Sequence, residues 1–385
     1  MPVSSGSATS EQLATEKQAA KSPASESPVS ELPASELHVI VPGLCGPLAD
    51  LQLVKNSPVL KKWINTLAKS GSTLSSDNVN DVLVALFKLK INTDFPSAAL
   101  TLLANDIVEA SRHYMHADPV HLQADMDHAI LTSSKDLEIS NNESKQLCEA
   151  LNQHFNQDGF RFVSLQHSVR QDKQWFVIAE NEINMCTTPL VEAVARNITT
   201  LLPQGEHATR WRQLLTEAQM LMFAHEVNST REDNGDMSIN SLWFHGSGEL
   251  PVTLDEGRIS SVCSNHDVPK GLAKLIKCDY LTLPESVNEY AKYLLANKDN
   301  MKNNMVNILH LSEIEHLVNY TDTSLWLNKL TGLLDHWIYP LLKVAYKNNI
   351  KVTLYPCNKK QYHFSKYDYL KFWHKGKLKQ HVSQY

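Results

Sequence analysis

The sequence predicts an α/β fold: a mostly parallel sheet flanked by helices. Three observations carry this expectation. The run Leu37-His-Val-Ile-Val41 is apolar and meets the turn residues Pro42-Gly-Leu-Cys-Gly-Pro47, so it reads as a buried strand entering a loop. Residues 305–311 and 350–354 are β-branched-rich runs with a helical segment, 325–347, between them; strand, helix, strand implies a parallel crossover. The 385 residues are 42% hydrophobic and 20% charged, enough for a core in two units or one large α/β domain.

The remaining elements follow in chain order. Residues 1–36 carry Ser, Ala, Glu, Pro and Lys, with three imperfect pentads, Ser22-Pro-Ala-Ser-Glu26, Ser27-Pro-Val-Ser-Glu31 and Leu32-Pro-Ala-Ser-Glu36. Such a segment cannot bury enough surface to offset chain entropy, so a disordered tail is expected, solubilising or partner-binding. Apolar spacing predicts helices over 59–68, 79–90 and 96–115, the last burying Leu100, Leu103, Ile107, Val108 and Ala110. Residues 161–165 and 175–179 read as a hairpin. Thr187-Thr-Pro-Leu190 reads as a helix start with a Thr cap. Trp211, Leu214, Leu215, Ala218, Leu221, Met222 and His225 form one helical face. Residues 241–244 read as a strand ending at Gly246-Ser-Gly248.

Composition excludes several classes. No run of 18 apolar residues is present, so no membrane span is expected. The first twenty residues lack the apolar stretch of a secretory signal. The six cysteines lie far apart with no C-x-x-C pair, which fits buried thiols in a reducing cytoplasm. The formal net charge is −6, although residues 343–379 hold ten lysines, one acid (Asp368) and eight interleaved aromatics. That stretch reads either as a single-strand nucleic-acid surface or as a charged rim over a buried aromatic strip. The absence of any nucleic-acid fold signature favours the rim.

Three motifs offer chemistry. In Asp118-Pro-Val-His121-Leu-Gln-Ala-Asp125-Met-Asp127-His128, a helix would place His121, Asp125 and His128 on one face as a divalent-metal set. A loop would instead let Asp118 and His121 bracket a polar ligand; a solvated polar segment is the plain alternative. Arg231, after the strong helix, either grips an anion bidentately or is a surface loop residue. Gly246-Ser-Gly248 is either a phosphate turn or a structural one.

The order of motifs resembles a known family. Ala117-Asp-Pro-Val-His-Leu122, Glu217-Ala-Gln-Met220, Val227-Asn228 with Arg231-Glu232, and Ile239-Asn-Ser-Leu-Trp243 with Gly246-Ser-Gly-Glu-Leu-Pro251 resemble RpfE-type bacterial regulatory proteins, from about residue 38 to 373. The last string is also similar to the Asn-x-Ile-Trp-Leu-Trp-Gly-x-Gly segment of archaeal-type, cofactor-independent phosphoglycerate mutases. Asp267-Val-Pro-Lys-Gly271-Leu-Ala resembles their Asp-Leu-x-x-Gly-Ile-x. The resemblance implies an alkaline-phosphatase-like α/β domain over 37–385, with an inserted α+β substrate region at about 112–234.

That superfamily holds two divalent metals with Asp and His around a Ser or Thr nucleophile. Here Val41 is followed by Pro42 where the first-strand Asp ligand is expected, and the Pro-Gly-Ser nucleophile turn is matched only by Phe95-Pro-Ser97. Ser97 is therefore the candidate nucleophile. The Asp-x-x-Gly-His motif lines up with Ser312-Glu-Ile-Glu-His316, keeping only His316 as a metal ligand. The ligand-gripping residues Asp118, His121 and Arg231 are kept. The expectation is a cytoplasmic pseudoenzyme that binds a small anionic, phosphorylated ligand or a regulatory protein partner, without bound Mn, Zn or Mg. The alternatives are an active metal-dependent phosphomutase or phosphatase and, more weakly, a nucleic-acid-binding protein.

Overall fold

In the computed structural model, which describes residues 35–46, 57–110, 112–125, 128–165, 173–194, 196–255, 257–296, 305–315, 317, 323–366 and 368, the apolar run near residue 37 is strand β1 (Glu36–Ile40). Leu37, Val39 and Ile40 are buried, as a strand covered on both faces requires. Residues 1–34 of the expected tail lie outside the described residues.

Helix α1 (Pro58–Lys69) starts where Ser57 Oγ accepts the Leu60 N–H at 3.3 Å and Pro58 supplies a fixed φ. Strand β2 (Gly71–Leu74) and helix α2 (Val79–Phe87) follow. The helix expected to reach residue 90 stops earlier because Lys88 turns left-handed, φ 48°, and Leu89 enters β3 (Leu89–Lys90). The helix expected over 96–115 is likewise shorter: α3 (Ser97–Ala104) ends at Asn105, Asp106 adopts φ 60°, and His113 opens a strand.

That strand, β4 (His113–Asp125), pairs antiparallel with β5 (His128–Ser133), short helix α4 (Ser134–Leu137) following. The helical option expected for residues 119–128 is therefore corrected over 119–125; residues 126 and 127 lie outside the described residues. Cross-strand pairing on both edges of β4 overrides the local spacing. Next come α5 (Asn141–Phe155), β6 (Phe160–Leu165), β7 (Gln174–Ala179), α6 (Leu190–Ala193), α7 (Ala208–Phe223), α8 (Glu226–Asn234) and β8 (Ser241–Gly248). The expected hairpin is β6–β7. Together these form a five-stranded sheet in the order β5-β4-β7-β6, with β8 on the other edge of β4.

The rest of the chain is β9 (Val252–Thr253), β10 (Ile259–Cys263), α9 (Asp267–Ile276), β11 (Asp279–Leu281), α10 (Val287–Ala296), β12 (Val306–His310), α11 (Thr323–Leu333), a π turn (Leu334–Ile338), α12 (Tyr339–Lys347), β13 (Lys351–Tyr355) and β14 (Lys360–Phe364). Among the described residues the main sheet has seven strands in the order β11-β10-β12-β1-β13-β14-β2. It is parallel from β11 to β13 and antiparallel at β14 and β2. Both strands of the expected crossover flank β1. Of the C-terminal aromatics, Tyr355, Tyr362 and Phe364 are buried; Tyr367, Tyr369, Phe372 and Trp373 lie outside the described residues. Among the described residues no helix is long and apolar enough to cross a membrane.

Helix α3 joins the two sheets. It is buried on nearly every side, with Ala98, Ala99, Leu100, Thr101, Leu102 and Ala104 all inaccessible. Its outer neighbour is α9, which approaches so closely at Gly271 that an added Cβ would fall on the Leu100 carbonyl. Three residues on, Lys274 Nζ donates to the Ala104 carbonyl at 2.9 Å and to Asp106 at 2.8 Å. Because 271 meets 100 and 274 meets 104, the two helices run parallel and begin at the same end.

Gly271→Ala is expected to destabilise the protein by about 1–3 kcal/mol, since backbone cannot yield as a side chain does. Gly332→Ala, in α11 with no neighbour closer than 4.0 Å, is expected to be neutral or stabilising by up to about 1 kcal/mol. Urea unfolding of the two variants measures the contrast.

Candidate functional site

Alternation along β4 puts His116 and Asp118 on one face of the inserted sheet. Strand β8 sets His245 directly opposite His116, and the two rings stack with centroids 4.3 Å apart and planes 2° apart. His245 Nε2 bonds Asp118 Oδ2 at 2.8 Å, and the Trp175 N–H donates to Asp118 Oδ1 at 3.3 Å. His116 and Asp118 are each 4% exposed. His116 Nδ1 has no hydrogen-bond partner. Burial, reinforced by the neighbouring His245, holds the His116 imidazole well below its usual range and so neutral at pH 7.

Helix α3 brings Ser97 to the same place. Gly246 adopts φ 62°, and a Cβ there would overlap Ser97 Oγ and sit 3.2 Å from the His116 ring. Glycine is what lets β8 pass this closely. The turn before α3 is tied to β8 through Asp94: Thr187 Oγ1 donates to its carboxylate, the Ser247 N–H does so at 3.2 Å, and the Phe95 N–H at 3.0 Å. The Gly246 N–H in turn donates to Thr187 Oγ1 at 2.8 Å. Burial raises the Asp94 carboxyl despite these donors.

His116, Asp118 and His245 each offer one donor atom within 4.8 Å of the others, the one such trio of metal-donor groups among the described residues. Two nitrogens and a carboxylate oxygen suit zinc or manganese chemically. The stack does not suit it geometrically. Imidazole binds an ion in its ring plane, and parallel rings cannot both aim at one ion unless one leaves the stack. The strand ends do not fit the two-metal set either: β1 runs into Val41 and Pro42, which carry no donor, and Ser312 offers a hydroxyl.

Of the residues singled out in the sequence, Ser97 and Asp118 are brought together. His121 is not. It falls on the opposite parity of β4 and its Nδ1 bonds the Ser238 carbonyl at 2.8 Å. Arg231 is not. From α8 its guanidinium reaches Met237 O at 2.7 Å, Glu143 Oε1 at 2.7 Å and Leu137 O at 2.6 Å, so every nitrogen is engaged in tying α4, α5 and α8 together. The expectation of one pocket shared by Asp118, His121 and Arg231 is corrected on this point. Asp125 and His128 pair in register across the β4–β5 ladder; their side chains, and all of His316, lie outside the described residues. Sequence reasoning missed His116, His245, Asp94 and Thr187. The His-x-Asp spacing of residues 116 and 118 is a strand signal, visible only once the segment is read with period two.

A family model for 2,3-bisphosphoglycerate-independent phosphoglycerate mutase matches residues 103–228. A probable 2,3-bisphosphoglycerate-independent phosphoglycerate mutase of Geobacter sulfurreducens is 28% identical over 141 residues, covering 35% of this chain and 34% of that protein. The corresponding enzyme of Methanosarcina mazei is 24% identical over 155 residues, covering 38% and 37%. The chain thus spans about a third of the length of the curated relatives it matches. A solved Pyrococcus horikoshii protein shares the fold, with a TM-score of 0.52 at 12% identity over 87% of this chain and 88% of that one. The chain is phosphoglycerate-mutase-like, and the matched stretch contains His116 and Asp118.

Arg231→Ala is expected to cost about 2–4 kcal/mol at pH 7, because it leaves two carbonyls and a carboxylate without their donor. Burial alone would raise the Glu143 carboxyl, but bonds from Ser140 and Arg231 outweigh it and hold it below its ordinary 4.5. A depressed folded value stabilises above the unfolded one and is lost as pH falls through it. The gap between wild type and variant in urea unfolding should therefore narrow below about pH 4.5.

Proposed function

We propose that this phosphoglycerate-mutase-like chain is a catalytically degenerate, cytoplasmic ligand-binding protein of regulatory type. Its ligand is a small phosphorylated anion, held where α3 and α9 begin. The observation that supports this reading is the pair of parallel helix starts. Neither Pro96 before α3 nor His266 before α9 caps its helix with a side-chain hydrogen bond. The Ser97 N–H already donates to the Phe95 carbonyl at 2.7 Å, so the support lies in the positive ends of two helix dipoles placed together.

The details favour the α3 side. That helix has no acid in its first turn, whereas α9 carries Asp267. Ser97 Oγ lies at the opening, against Gly246 and the His116 ring. The buried, unpartnered His116 Nδ1 adds a polar atom with nothing to bond in the free protein. Asp118, the nearest carboxylate to these rings by its 2.8 Å bond, is engaged by His245. Phosphate transfer in the manner of the metal-dependent mutases would need carboxylate-held cations where β1 offers Val41 and Pro42.

Thermal melting tests this. Inorganic phosphate and 3-phosphoglycerate should each raise the melting temperature and glycerol should not; saturation at about 100 times Kd adds about 2.7 kcal/mol. Ser97→Asp places a carboxylate at the α3 start and should abolish the shift while the variant still melts cooperatively. No shift with millimolar phosphate esters would refute the reading. Interconversion of 2- and 3-phosphoglycerate with added manganese, lost in Ser97→Ala, would establish an active phosphomutase instead.

A further inference from the structure

A second polar cluster sits at the carboxyl ends of β10 and β12. Ser264 follows β10, and its Oγ accepts the His266 N–H at 3.1 Å. The same oxygen lies 3.1 Å from Nδ1 of His310, the last residue of β12. With the Ser264 O–H given to His310 Nδ1, one of the two tautomers this contact allows, the ring carries its proton on Nε2. Burial drives the His310 imidazole down to about 3, so the ring is neutral. It is 6% exposed, and Nε2 has no partner. Native interiors seldom keep an N–H unpaired, so this one points to an acceptor that arrives with a ligand.

Two residues past His310 stands Ser312, whose Oγ is hydrogen-bonded to His266 Nε2. The His266 and His310 rings meet edge to face with centroids 5.4 Å apart. Tyr280 Oη donates to the Ser264 carbonyl at 2.5 Å and pins the turn that carries these groups. A hydroxyl on an imidazole nitrogen, with an unpaired N–H on the adjoining ring, is the minimum for nucleophilic attack with an acceptor for developing charge.

We propose that Ser312 is a nucleophile, with His266 as its general base and His310 Nε2–H as the oxyanion donor, and that the bond it attacks is a carboxylic ester. The ester class follows from charge. A phosphate monoester brings two negative charges to an attacking oxygen, more than a single N–H donor offsets. A neutral ester develops a single negative charge, which one N–H beside the start of α9 can meet. This inference goes beyond the phosphate-binding reading and does not rest on it; the degeneracy in that reading concerns phosphate transfer, not ester hydrolysis.

The step balances without a cofactor. Ser312 Oγ bonds to the acyl carbon as its proton passes to His266 Nε2. The acyl–oxygen bond then breaks, and His266 returns that proton to the leaving alcohol. Water, deprotonated by the same nitrogen, attacks the acyl-serine and releases the acid and the free Ser312 hydroxyl.

The test is covalent capture on the full-length protein. A fluorophosphonate probe should phosphonylate Ser312, the P–F bond breaking as fluoride leaves, and peptide mass spectrometry should locate the adduct. His266→Gln should slow labelling at least about 100-fold, with its melting curve checked for folding. Labelling of the unsubstituted protein should also follow a single ionisation with pH. An adduct absent from Ser312 in the folded protein overturns the proposal, as does a folded His266→Gln variant that labels at the wild-type rate. Should that variant not fold, the adduct position and the pH profile of the unsubstituted protein decide.

Discussion

The contact between Gly271 and the Leu100 carbonyl governs how the two halves of the molecule meet. Helix α3 leads into β4 of the inserted sheet, and α9 leaves β10 of the parallel sheet. With no Cβ at 271 and with Ala98, Ala99 and Ala104 on the buried α3, each helix presents thin surfaces and the layers close. Packing at interior density leaves no slack to absorb a longer side chain. The position of Ser97 relative to His116, and the side-by-side helix starts, follow from that one backbone approach.

Both polar clusters use the same physical device. Each holds one histidine so deeply that it stays neutral, His116 in one and His310 in the other. Each sets a second histidine against it, stacked in the first case and edge-on in the second. Each leaves one nitrogen of the buried ring unpaired. A neutral imidazole fixed this way acts as a directed hydrogen-bonding group whose charge does not change across the physiological range.

The parallel sheet was legible because its strands announce themselves locally. β1, β12 and β13 are apolar runs, and the helical stretch between the last two fixes their direction. The clearest helix, α7, was legible for the same reason, through Trp211, Leu214, Ala218 and Met222. What was not legible depended on partners far along the chain. Residues 119–128 carry helical spacing, yet pairing with β5 and β8 makes the described residues 119–125 strand. Ser97 and Asp118 could be singled out by type and by resemblance. His245 could not, because its role exists only through register with His116, 129 positions earlier in the numbering. Arg231 looked available because its acceptors, Leu137 and Glu143, belong to other helices.

The strand order also dictates a sequence of events during synthesis. Among the described residues β1 is the earliest strand and occupies the middle of its sheet, but its neighbours β12 and β13 follow only after the inserted sheet. At roughly 5–20 residues per second, β1 waits roughly 15–60 s for them on the ribosome. The inserted sheet closes entirely within residues 113–248 and can assemble during that wait. The nascent chain thus carries an apolar, unpaired strand beside a finished antiparallel layer, and β1 is the segment a ribosome-associated chaperone would be needed to shield.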